Sequence, residues 1–149
     1  MAQVQLQHIP YKGAGPAYTD LLGGQVDVLF ATAGGAHKFV RSGQMRALAL
    51  TSSKRVEAYP GIPVVAETLP GYVAEVWYGL FASRGTPMPY IEKLNAALRK
   101  AASLVAYKTA LVKDGLEQSV NTPQEMADFM KDEIERWRKV ITTAGITVD

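Results

Sequence analysis

The chain contains no cysteine, which excludes thiol chemistry, iron–sulfur clusters and cysteine-ligated zinc. It leaves the redox compartment open, because a protein without thiols suits either. Histidine is scarce, with only His8 and His37 present. His37, beside Lys38 and Arg41, has no second histidine or carboxylate at metal-ligand spacing, so it reads as part of a solvated helix face; His8, at a strand end, reads as structural. No metal site and no cofactor is expected. Long hydrophobic runs are also missing: apolar stretches are broken by Gly, Asp, Lys or Arg well short of the roughly 18 to 20 residues that a membrane-spanning helix needs. Residues 1–9 have neither a basic start nor an apolar signal core, which leaves a cytosolic chain, a mature form or a piece of something longer.

A large excess of one charge is absent as well. The net charge of +2 is too small to indicate nucleic-acid binding. The distribution is uneven, since residues 1–55 carry Lys12, Lys38, Arg41, Arg46, Lys54 and Arg55 against Asp20 and Asp27. Such a region either presents a solvated basic face or steers anionic small molecules or polymers toward the protein. With 149 residues, 48% of them hydrophobic and 20% charged, the chain can bury a core of one or at most two globular units.

Periodicity places strands at 4–9, 26–30 and 45–51. Between them lie two glycine-bearing loops, each opening a helix: Tyr11-Lys12-Gly13-Ala14-Gly15-Pro16 before a short helix stopped by Gly23-Gly24, and Ala31-Thr32-Ala33-Gly34-Gly35 before a helix that includes His37–Arg41. This alternation predicts an α/β fold with a parallel sheet flanked by helices. A turn-rich segment with a helical turn near Val64–Thr68 follows, then an apolar strand at 72–81 whose Trp77 and Tyr78 read as core. After Gly85 the chain becomes helix-rich. Helices are expected at 89–102 and 104–113, the second capped by Ser103 and stopped by Gly115, with a short strand at 116–120. The last helix has the strongest start signal, because Thr122-Pro123-Gln124-Glu125 matches a capping box with proline at the first helical position. Its stripe of Phe129, Met130, Ile134 and Trp137 is expected to be buried, and Gly145 to end it.

In an open parallel sheet the loops at the carboxyl ends of adjacent strands line one crevice, where ligands bind. Backbone amides at helix starts favour anions there. The loop at 12–15 has neither the spacing of a Walker loop nor the third glycine of a dinucleotide fingerprint, so its glycines serve either a tight turn or a small anion. No nucleophile elbow and no placeable carboxylate pair is present, and no catalytic residue is assigned.

The blocks from His8 to Ala17 and from Asp20 to Val28 resemble the signature of the tripartite tricarboxylate transporter substrate-binding proteins, the TctC or Bug family. So do Ser42-Gly43-Gln44-Met45-Arg46-Ala47-Leu48-Ala49, Pro60-Gly61-Ile62-Pro63-Val64-Val65-Ala66-Glu67, Pro70-Gly71-Tyr72 through Phe81, Gly85-Thr86-Pro87, Lys93-Leu94-Asn95 and the helix opened by Thr122. The resemblance spans essentially the whole chain, but members of that family are roughly twice as long. It implies the carboxy-terminal half of a type II periplasmic-binding-protein fold, with residues 1–78 as an α/β portion of the second lobe and 79–149 as the crossover and carboxy-terminal helices of the first. It further implies a non-enzymatic, periplasmic solute-binding protein for small carboxylates that delivers ligand to membrane transporter subunits. The ligand-binding positions carried over are Tyr11, Lys12 and Gly13 from the first loop and Ala31, Thr32, Ala33 and Gly34 from the second. The second loop departs from the commoner family pattern at Ala31, where an acidic or hydroxyl residue often stands. Apolar helix stripes without their sheet predict a homo-oligomer. The alternatives are a small α/β enzyme acting on an anionic substrate and a truncated remnant that binds nothing.

Overall fold

Helix signals in the sequence become helices in the computed structural model, which describes residues 2–146. In chain order these are α1 (Ala14–Leu22), α2 (Ala33–Arg41), a 3-10 turn at Val65–Glu67, α3 (Met88–Ala102), α4 (Val105–Lys113) and α5 (Pro123–Ala144). The ends follow local chemistry. At the start of α5 the Thr122 hydroxyl accepts from the Glu125 N–H at 3.1 Å while the Glu125 carboxylate accepts from the Thr122 N–H at 2.7 Å. This satisfies two amides that no helical carbonyl can reach. Gly145, in the left-handed conformation, closes the same helix. One cap differs from expectation. Ser103 caps the carboxyl end of α3, and its hydroxyl donates back to the Lys100 carbonyl at 2.7 Å instead of accepting from α4.

The strands expected at 4–9, 26–30, 45–51, 72–81 and 116–120 do not form ladders among the described residues. What exists is an isolated parallel bridge between Leu50 and Val64. The Leu50 N–H donates to Pro63 O and the Val65 N–H donates to Leu50 O, both at 2.8 Å, and Ala74 N–H donates to Thr51 O at 2.8 Å. Successive residues of an extended segment aim their backbone groups at opposite edges, so the chain at 50–51 has one neighbour on each side. Parallel strands draw partners from segments distant in sequence, and apolar periodicity specifies only the strand, not its neighbour. Many apolar residues of the expected strands stay in water: Phe30 is 69% and Tyr78 80% exposed. The expectation of a core role for Tyr78 is therefore corrected, and Trp77 is half-buried. The stripe of α5 is likewise more open than its pattern predicts, with Ile134 half-exposed and Phe129 and Trp137 each more than a third exposed.

The chain separates into two compact units, Met1–Gly79 with Lys108–Glu117, and Leu80–Tyr107 with Gln118–Asp149. The first holds α1 and α2 around the buried residues Ala17, His37, Tyr59 and Val64. Around the turn at Val65–Glu67, Arg55 grips Glu67 with two 2.8 Å hydrogen bonds, and the Glu75 carboxylate accepts from both the N–H and the hydroxyl of Ser53. Arg55, one of the basic residues of the first third, is thus neutralised locally. In the second unit α3 packs on α5, Ala102 is buried, and Asn95 donates to the Asn121 carbonyl at 2.8 Å just before the α5 cap.

Candidate functional site

Both glycine-bearing loops end at helix N-termini within the first unit. Gly13 is the N-cap of α1 with φ 107°, a conformation open to glycine and strained for residues with a β-carbon. This lets the chain turn from Lys12 straight into the helix. Tyr11 is tied to the helix it precedes: its hydroxyl donates to Asp20 Oδ2 at 2.7 Å. That hydrogen bond to a carboxylate, aided by burial and by the charge of Asp20, raises the Tyr11 phenol above its ordinary value. Lys12 is exposed beside it. The α1 amides of Ala14 and Gly15 lie in the first turn, where helical geometry supplies no acceptor.

In the second loop Ala31 precedes Thr32, the N-cap of α2, whose side chain makes no capping hydrogen bond. Ala33 and Gly34 form the first turn, so the amides of Ala33, Gly34 and Gly35 also point away from helical acceptors. The positive end of the helix dipole adds to them. Tyr59 reaches this turn from outside, donating its hydroxyl to the Ala33 carbonyl at 2.6 Å.

The link between the two loops runs through Tyr18 of α1. Its ring lies 5.3 Å from that of Phe39, and its hydroxyl rests against Gly35 beside the Thr32 hydroxyl. The first turn of α2 thereby touches α1 at Gly35, next to Thr32, Ala33 and Gly34, while Tyr11, Lys12 and Gly13 sit at the start of α1. An open cavity of about 640 Å³ runs along the same flank, bordered by Gly15, Tyr18, Gly34, Gly35, His37 and Lys113. Gly34 belongs to both the cavity and the loop. Lys113 and its neighbour Asp114 come from the end of α4, and their place here was hidden in the sequence because only the fold brings that segment back to α2.

His37 corrects the sequence reading. Instead of facing solvent it is 9% exposed, meets the Tyr59 ring edge-on with centroids 5.3 Å apart, and is backed by Gly115. Its Nδ1 has no hydrogen-bond partner. Lys38 keeps its ammonium 4.7 Å from the Phe39 ring centroid, an attractive placement for a cation. Among the described residues no cluster of three or more His, Cys, Asp or Glu could hold a metal ion, and no helix is long and apolar enough to cross a membrane. The arrangement offers backbone amides and hydroxyls at two helix starts, which is a means of holding a small anion.

Residues 1–146 match the profile of the family described as "Tripartite tricarboxylate transporter family receptor". Among curated proteins, the UPF0065 protein in the tcbD-tcbE intergenic region of Pseudomonas sp. strain P51 is 37% identical over 142 residues, covering 94% of this chain and 42% of that protein. Among solved structures, R. palustris Rpa4515 with adipate superposes with a TM-score of 0.87 at 32% identity, over 99% of this chain and 50% of the other. Periplasmic binding protein BugD superposes with a TM-score of 0.80 at 32% identity, over 96% of this chain and 49% of the other. The fold is thus that of periplasmic binding proteins, and the chain spans about half the length of each of these three.

Proposed function

The chain belongs to the tripartite tricarboxylate transporter receptor family, and we propose from that premise that it serves periplasmic solute binding, holding a small carboxylate for delivery to membrane transporter subunits. The match over residues 1–146 carries the reading, and the adipate-bound neighbour supports the ligand class. Tyr11, Lys12 and Gly13 at the start of α1, with Ala31, Thr32, Ala33 and Gly34 at the start of α2, are this chain's contribution to the site. First-turn amides supply the donors, Thr32 a hydroxyl that its helix leaves unused, and Lys12 long-range attraction. The reading is a binding function without turnover. Residues 1–78 would correspond to the second lobe and 79–149 to the crossover and first-lobe helices, and the chain on its own self-associates through its exposed apolar segments.

Calorimetric and thermal-shift titration with adipate, succinate, citrate and glutamate tests this. A carboxylate receptor shows saturable stabilisation by at least one of them, about 2.7 kcal/mol at a hundredfold excess over Kd, with the ligand recovered unchanged. No heat and no shift from any of the four at millimolar concentration rejects carboxylate binding, and conversion of the ligand rejects a pure receptor.

A further inference from the structure

We propose that Tyr59 is a positioning residue for the carboxylate site, acting on the Gly34 amide through the Ala33 carbonyl; the proposal rests on the carboxylate reading above. The Ala33 C=O and the Gly34 N–H are the two ends of one planar, conjugated peptide unit. A donor at the oxygen draws electron density from the nitrogen end and makes that N–H a stronger donor, a cooperative gain of about 10–30% per bond. Tyr59 supplies such a donor at 2.6 Å, at the short end of the range for an O–H···O bond. The Gly34 N–H is in turn one of the first-turn amides with no helical acceptor. A continuous relay results, from the Tyr59 hydroxyl through the Ala33–Gly34 peptide to a bound carboxylate oxygen.

Geometry makes the relay stiff as well as polar. Tyr59 is 5% exposed and its ring is fixed edge-on against His37, which sits one helical turn beyond Ala33 on α2. The helical pattern directs the His37 N–H to the Ala33 oxygen, and the tyrosine takes that oxygen's second lone pair. The same tyrosine therefore touches α2 at two successive turns, and the first turn cannot swing without breaking a short, part-buried hydrogen bond. Burial, and secondarily the proximity of Tyr18, raises the Tyr59 phenol above its ordinary value, so it remains a donor at neutral pH. Neither Tyr59 nor its turn-rich segment signals this role in the sequence.

Two replacements at one position test the idea: Tyr59→Phe, which removes only the hydroxyl, and 3-fluorotyrosine introduced at position 59 alone, whose more acidic phenol is a stronger donor. The readouts are the Gly34 amide proton resonance in the ligand-free protein and the Kd for adipate. Tyr59→Phe is expected to move the Gly34 amide upfield and weaken adipate binding about 1.3- to fivefold, the tenth to third of one charge-assisted hydrogen bond that the relay supplies, and the fluorotyrosine to move both the other way. A role in packing alone would lower affinity in both variants without opposite shifts at Gly34, and that pattern overturns the proposal. So does full adipate affinity in Tyr59→Phe. If adipate binds neither the parent nor the variants, the carboxylate reading loses its probe while the Gly34 resonance still decides: an unchanged position in both variants refutes the relay, and opposite displacements support it.

Discussion

The hydroxyl of Tyr18 on α1 rests against Gly35 in the first turn of α2, so closely that a β-carbon at position 35 would overlap it and would also crowd the Thr32 hydroxyl. Glycine at 35 is thus a packing requirement that lets α1 lie over the start of α2. Gly35→Ala is expected to destabilise the first unit by about 1–3 kcal/mol, the range for overpacking a fitted contact. Gly15→Ala is the control, because a β-carbon there meets nothing within 4 Å. It should be neutral or stabilise by up to about 1 kcal/mol, as alanine does in a helix. Urea midpoints of the two variants against the parent decide, and equal midpoints would remove the packing argument.

Gly115 stands behind His37. With φ 73°, a β-carbon there would lie 3.1 Å from the imidazole Cβ, Cγ and Nδ1, so Gly115→Ala combines left-handed strain with a ring contact that has little room to yield. A loss of about 1–3 kcal/mol is expected. His37→Leu should have the opposite sign or none, since it removes a buried Nδ1 that has no partner and keeps an apolar group against Tyr59. Thermal unfolding of both variants is the check, and a severe loss in His37→Leu would mean that the ring makes a polar contact the structure does not contain.

The sequence was legible where structure is local and silent where it is not. Thr122, Glu125 and Gly145 mark α5 because a cap needs only residues within one turn, and Pro16 and Gly23 bracket α1 for the same reason. The segment at 26–30 reads as a strand by β-branched content, yet a ladder depends on an edge supplied from elsewhere, and pattern alone carries no information about that edge. His37 illustrates the same limit for the site. Its neighbours on α2, Lys38 and Arg41, suggest solvent, whereas Tyr59 and Gly115, remote in sequence, bury it. The loops at Tyr11–Gly13 and Ala31–Gly34 were recognisable as helix starts, but Tyr18, Tyr59 and Asp114 reach the second loop only through folding.

Acid should loosen the start of α5. The backbone hydrogen bond from Thr122, with the Thr122 side chain second, holds the Glu125 carboxyl below its ordinary value of 4.5. A carboxyl whose folded-state value is depressed contributes its stability in full above the unfolded value, and that contribution is lost as pH falls through the lower folded-state value. The capping box is therefore intact at neutral pH and opens below about pH 4.5. Glu67 follows the same sign through its hydrogen bonds with Arg55, the larger cause, and with the Val64 N–H. Carboxyl carbon shifts followed from neutral pH into acid should place both midpoints under 4.5, and Glu125→Gln should flatten the acid dependence of amide exchange at Thr122. Midpoints at the ordinary value would show that neither carboxylate is engaged in solution.

Self-association is the outcome expected from apolar side chains left in water. Val76 and Tyr78 are 66% and 80% exposed, and their spacing of two puts them on one face of an extended segment. Met88, Tyr90, Leu94 and Leu98 of α3 are exposed as well. A contiguous apolar patch of more than a few hundred Å² is uncommon on a monomeric protein and drives association. Light scattering on the 149-residue chain at micromolar concentration is expected to give a mass above that of one copy. Tyr78→Lys should shift the population toward the monomer, because a charge on that face must lose water to be covered. A monodisperse monomer in the parent would mean that these side chains find cover within a single copy. Tyr78→Lys would then leave the mass unchanged and lower the melting temperature instead, so the two measurements together separate association from internal burial.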